Sequence, residues 1–134
     1  MATRITDPDA TLRALENIMV GAAEVVVPEF DTALTQALSD RAYQWPGQTR
    51  RQNGQVVGSP RDIIDTGELD SSQSLTRESR TDWRWRWTAP HALIVHEGTT
   101  LRNGTELPAR RWTRRAVQQY RPFVKFAREV AKRV

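Results

Sequence analysis

The sequence predicts an α+β fold: an N-terminal helix pair, a small antiparallel β-sheet, and a C-terminal helix packed across that sheet. Three observations carry the expectation. Leu12, Leu15, Ile18, Met19 and Ala22 recur at steps of three and four, the period of a helix with one apolar face. Trp83, Trp85 and Trp87 alternate with Arg84, Arg86 and Thr88, a period of two that puts the indoles on one face of a strand and the guanidiniums on the other. Near the end the helical period returns, with Trp112, Ala116, Val117 and Tyr120 on one stripe and Phe123, Phe126, Ala127 and Val130 on another. At 134 residues, 38% hydrophobic and 27% charged, the chain has the length of one domain, residues 1–134, and the composition of a folded protein.

The elements follow in order. Asp9-Ala10-Thr11 opens the first helix with an acidic start. Val25-Val26-Val27 is β-branched and precedes Pro28, so the helix is expected to end or kink there. Pro28, Glu29 and Asp31 then suit the first turn of a second helix, with Phe30, Ala33, Leu34, Ala37, Leu38 and Ala42 on its apolar face. From Tyr43 to Asp62 the apolar period disappears and Gly, Pro and Asn accumulate, which reads as a long polar loop with a small hairpin at Asn53-Gly54.

Thr66 to Leu69 reads as one helical turn capped by Asp65 or Thr66. Ser72–Thr81 and Trp83–Thr88 form the core hairpin, turning at Asp82. Pro90 to Glu97 is a short apolar turn that stops on Gly98, where a left-handed conformation is expected, and Thr99 to Leu107 is a tight exposed loop around Asn103-Gly104. Pro108 starts the return into helices over Arg111–Gln119 and Phe123–Arg133, interrupted at Pro122.

Composition excludes several chemistries. The absence of cysteine removes disulfides, thiolate zinc sites and a cysteine nucleophile, and suits a reducing cytoplasm. Neither a signal-like apolar segment nor an apolar run long enough for a bilayer is present, so a soluble intracellular protein with no membrane partner is expected. Lys plus Arg number 20 against 16 for Asp plus Glu, and the net charge of +4 favours an anionic neighbour without identifying it.

Candidate reaction centres are weak. His91 and His96 are five residues apart, not the i, i+4 spacing of a helical zinc pair, and no third ligand accompanies them beside Glu97. Asp62, Asp65, Glu68 and Asp70 form an acidic cluster, but without the glycine of a calcium loop or a nearby nucleophile they read as a capped turn and a solvated face. Ser71, Ser72 and Ser74 sit in no nucleophile elbow. No metal, cofactor or catalytic residue is therefore expected. The Trp83–Trp87 strand admits two readings: a platform that stacks bases and neutralises phosphates, or a half-buried strand whose indoles fill the core. The second is preferred for the tryptophans, leaving Arg84 and Arg86 open for DNA or an acidic neighbour.

Three short runs, in this order, carry a resemblance: Thr66-Gly67-Glu68-Leu69-Asp70-Ser71-Ser72, then Ala92-Leu93-Ile94-Val95-His96-Glu97-Gly98-Thr99, then Pro108-Ala109-Arg110-Arg111-Trp112. The chain resembles the small neck and tail-completion proteins of long-tailed bacteriophages, whose members read Thr-Gly-x-Leu-x-x-Ser, Tyr-Ala-x-x-Val-x-x-Gly-Thr and Pro-Ala-Arg-x-Phe/Trp. The resemblance covers about residues 45–120. It departs from the pattern in Ala-Leu-Ile-Val-His before Glu-Gly-Thr, and in Trp112 where Phe is frequent.

The resemblance implies a structural virion protein at the head–tail junction, assembled in the host cytoplasm. Its partners would be further copies of itself in a ring of six, the head-closure or connector protein, the tail tube protein, and double-stranded DNA passing through the lumen without sequence readout. It implies contacts between subunits or rings at Glu97, Gly98, Thr99, Arg102 and Trp45, with Arg84 and Arg86 facing the DNA; for Glu97 the other reading is that it orients the turn. The alternative is a basic nucleic-acid-binding protein using the Trp/Arg strand; a hydrolase using the acidic cluster is a third reading. In a ring, the basic region Arg110–Arg133 of one subunit is expected to meet the acid-rich first 40 residues of the next.

Overall fold

A computed structural model of the protein describes residues 6–40, 49–50, 56–57, 68–100, 102, 104 and 106–134. The first element, α1, is a single helix from Pro8 to Leu38. Asp7 caps it with an extended backbone and a carboxylate that accepts the Ala10 N–H at 3.1 Å, and Pro8 fills a first-turn position where no N–H is needed. The break expected at Pro28 is not there, and the N-terminal helix pair is one helix. Pro28 lies on the exposed side of α1, while Val26, Phe30 and Leu34 pack inward on both sides of it. That continuous burial outweighs the roughly 3 kcal/mol a proline costs inside a helix.

Strands β1 (Thr49–Arg50) and β2 (Val56–Val57) pair antiparallel, Thr49 opposite Val57 and Arg50 opposite Val56. This ladder flanks the expected Asn53-Gly54 turn; the turn itself lies outside the described residues, as do Asp62, Asp65 and Thr66. The expected helical turn is α2 (Glu68–Ser71).

The core hairpin consists of β3 (Gln73–Ser79) and β4 (Asp82–Trp87), with Gln73 opposite Trp87, Leu75 opposite Trp85 and Arg77 opposite Trp83. Asp82 is not the turn but the first residue of β4, opposite Ser79, because the register shifts between Arg77 and Ser79 and the chain reverses at Arg80-Thr81. The Arg77 guanidinium ties that reversal together by donating to the carbonyls of Ser79 and Arg80.

Next come α3 (Ala92–Glu97), β5 (Thr99–Thr100) and β6 (Glu106–Leu107), so the expected exposed loop is a small hairpin with Thr99 opposite Leu107. The chain ends in α4 (Trp112–Tyr120) and α5 (Pro122–Arg133), with Arg121 between them in the left-handed region at φ 58°, ψ 61°.

The core joins Leu34, Ala37 and Leu38 of α1 to Leu69, Ala89, Ala92, Trp112 and Ala116, with Phe30, Trp85, Trp87 and Val95 packed against it. The class is α+β. Within it, α4 and α5 both lie along α1, and α4 meets the hairpin where Trp112 packs edge-on against Trp87 at 5.6 Å. A helix across the sheet was the expectation; the long apolar stripe of α1 is what the C-terminal helices cover instead.

Candidate interface and DNA-facing surfaces

The β3–β4 hairpin has two chemically different faces. On the inner face, Trp85 meets Phe30 edge-on at 5.3 Å and its Nε1 donates to Asp31 Oδ1 at 2.9 Å. Gln73 Nε2 donates to the same oxygen at 3.1 Å, and Gln73 Oε1 accepts from Trp87 Nε1 at 3.0 Å. The chain Trp87, Gln73, Asp31, Trp85 thus satisfies two half-buried indoles and fixes the hairpin on α1. Trp83 lies under the Arg77 guanidinium, 4.5 Å from the ring centre.

On the outer face, Arg86 stands opposite Ser74 and Arg84 opposite Thr76, all four exposed. Neither guanidinium has a partner among the described residues. Two strand positions apart, they sit roughly 7 Å from each other by strand rise. Such a surface can neutralise phosphates without reading bases. Stacking bases on the indoles would require the hairpin to leave α1.

Around Gly98 the sequence-predicted residues fall into a different arrangement. Glu97 Oε1 is 2.5 Å from His96 Nδ1, and Glu97 Oε2 accepts from Arg111 Nη2 at 3.2 Å. His96 Nε2 is 2.7 Å from Thr113 Oγ1, and its ring stands edge-on to Trp112 at 4.8 Å. Both bonds are satisfied by the neutral tautomer in which Nδ1–H donates to Glu97 and Nε2 accepts the Thr113 hydroxyl. The hydrogen bond from His96 holds the Glu97 carboxyl below its ordinary range, aided by Arg111 and opposed by partial desolvation. Glu97 therefore clamps α3 to the start of α4 within the chain.

Gly98 has φ 75°, ψ 169°. The positive φ of the expected left-handed conformation is there, but its ψ is not, because the chain leaves α3 directly into β5 instead of curling back. A Cβ on Gly98 would sit 2.7 Å from the Leu107 carbonyl oxygen and 2.8 Å from the Ala109 nitrogen. Beside it, Arg110 N–H donates to the Val95 carbonyl at 3.0 Å and ties the return strand to α3. Thr99 is exposed on β5 and Arg102 is exposed in the turn that follows, so both are open to a neighbour. Trp45 lies outside the described residues.

The remaining candidates among the described residues are engaged locally. The Ser71 and Ser72 hydroxyls donate to the carbonyls of Glu68 and Leu69, three residues back, while the expected cap at Asp65 or Thr66 lies outside the described residues. His91 faces Glu68, with Nδ1 4.0 Å from its carboxylate, while His96 faces Thr113 and Glu97. Sequence reasoning missed Asp31, Gln73, Arg111 and Thr113. A half-buried indole needs an acceptor, so a polar residue beside an apolar helical stripe, as Asp31 is beside Phe30, was the available signal.

Charge asymmetry along the chain is partly answered within the subunit. Arg115 Nε lies 2.7 Å from Asp40, Arg77 pairs with Glu24 at 3.3 Å and Arg80 with Glu16 at 3.4 Å. The Tyr120 hydroxyl donates to Glu29, and burial followed by that bond pushes its ionisation well above the ordinary range. Arg114, Arg121 and Arg128 are exposed, without a partner among the described residues.

Among the described residues no helix is long and apolar enough to cross a membrane. No family model matches the chain, and neither a curated protein nor a solved structure matches it.

Proposed function

We propose that the protein is a structural subunit of a bacteriophage head–tail junction: a ring of six copies that completes or terminates the tail, joins the tail tube to the head connector, and lets double-stranded DNA pass through its lumen. The observation that carries this reading is where the three resembling runs go. Leu69 from the first, Ala92 from the second and Trp112 from the third are all buried in one cluster against Leu34, Ala37 and Leu38 of α1. The second and third runs are also joined by their backbones at Val95–Arg110 and at Gly98. Residues in these runs are used for architecture, as suits a building block and not a catalyst.

Within that reading Arg84 and Arg86 face the DNA, and Thr99 and Arg102 on the β5–β6 hairpin reach a neighbouring ring. The reading as a monomeric nucleic-acid binder loses support from the inner face of the hairpin, where the indoles are spent on Phe30, Asp31, Gln73 and Trp112. In the virion the protein would sit at the neck; before that it would be assembled in the host cytoplasm.

The test is the mass of the purified protein by light scattering, with negative-stain images of the same sample. A particle of six subunits with a central opening is expected. A monomer at all concentrations that binds short duplexes in a salt-dependent way would overturn the reading in favour of the nucleic-acid binder.

A further inference from the structure

Among the described residues, the apolar face of α1 is longer than anything that covers it. The helix α5 runs back along α1 until the Arg133 side chain lies over Gly21. The tip of the β3–β4 hairpin reaches α1 at Glu16 and Asn17 through Arg80, and at Glu24 through Arg77. From Gly21 toward the start of α1, Met19 is 52% exposed and Leu12 63% exposed, although they continue the stripe that farther along buries Val26 and Leu34. Three helical turns with an open apolar stripe gain little stability in water unless packing covers it.

A second surface carries the matching pattern in the opposite charge. Asp9, Leu12 and Glu16 follow one another on α1 at i, i+3 and i+7, acid, apolar, acid. Arg114 and Val117 on α4, with Arg121 at its end, follow at the same spacing, base, apolar, base. All six are exposed; Glu16 also meets Arg80 of its own chain at 3.4 Å, while neither Arg114 nor Arg121 has a partner among the described residues. Laid antiparallel, the two faces set Asp9 against Arg121 and Glu16 against Arg114, with Leu12 and Val117 between them, offset by one residue. They cannot meet within one subunit, because the inner side of α4 is already packed by Trp112 and Ala116 against the C-terminal half of α1.

We infer that the first three turns of α1 dock antiparallel on the outer face of α4 of a second copy of this chain. Each subunit carries one patch of each kind, so the contact is heterologous and repeats from copy to copy. This joint rests on the reading of the protein as a ring subunit and specifies which two surfaces close the ring.

Charge reversal tests it. Asp9→Arg with Glu16→Arg makes both patches of a subunit positive; Arg114→Glu with Arg121→Glu makes both negative. Each double variant, checked for a wild-type melting curve, is expected to need about tenfold or more protein for half-assembly, as charge juxtaposition across an interface dictates. An equimolar mixture of the two double variants, and a single chain with all four reversals, should regain the wild-type mass. Double variants that assemble like the wild type, or a mixture that stays dispersed, would overturn the inference. A wild-type ring indifferent to all four reversals would sink this joint and leave the ring standing. Open chains that the reversals dissolve and the mixture restores would keep the joint and sink the ring, and a wild-type monomer at every concentration would sink both.

Discussion

At Gly98 two constraints act on one residue: a positive φ that L side chains rarely adopt, and backbone atoms of Leu107 and Ala109 where a Cβ would go. Gly104 shares the first constraint, with φ 84°, but has nothing within 4 Å of the same position. Gly104→Ala should therefore cost only backbone strain, about 1–3 kcal/mol, while Gly98→Ala should cost distinctly more, read as the difference in urea midpoints. Equal losses at both positions would show that the close approach of β6 to α3 does not matter. The neighbouring Glu97 gives a pH signature. Its carboxyl is held below the ordinary value of 4.5, so its stabilising contribution is complete above that pH and is lost as the pH falls through the lowered value. In Glu97→Gln that part of the acid-side loss should vanish from the unfolding midpoints. A profile identical to wild type would mean that His96 and Arg111 do not hold the carboxylate.

Among the elements, α1 shows where local sequence rules stop. Pro28 promised a break, and its missing N–H does weaken the helix, but the apolar stripe runs past it on the opposite side and is buried there. Pro28→Ala should raise stability by about 1–3 kcal/mol, since it restores a helical hydrogen bond on an exposed face. A fall in the melting temperature would show that the proline shapes a bend the packing needs. The β3–β4 hairpin was legible because a period of two admits no other element, and the C-terminal helices because their stripes are strong. The partners of each face were not legible. Asp31 serves Trp85 and Gln73 across more than 40 residues of sequence, and nothing local announces such a bond. The ψ of Gly98 was hidden for the same reason: a positive φ follows from glycine at a helix end, but the direction of exit depends on where β6 lies. Of the surface residues expected to reach neighbours, Thr99 and Arg102 are open, whereas the carboxylate of Glu97 is engaged at home.

The whole described chain is arranged on one spine. The hairpin, α4 and α5 all attach to α1, a helix of 31 residues that is about 46 Å long at the usual rise. Attachment is uneven along it. Buried side chains begin at Val20 and continue to Leu38, while residues 8–19 carry no buried side chain. The consequence is a gradient of permanence within a single helix. Amide protons beyond Val20 can exchange with solvent only when the packed unit opens, whereas those of the first three turns exchange whenever the end frays. Those turns would become slow to exchange only when a surface outside the subunit covers them, so the freshly made protein and the assembled one would differ in the tempo of one helix end while sharing every other contact.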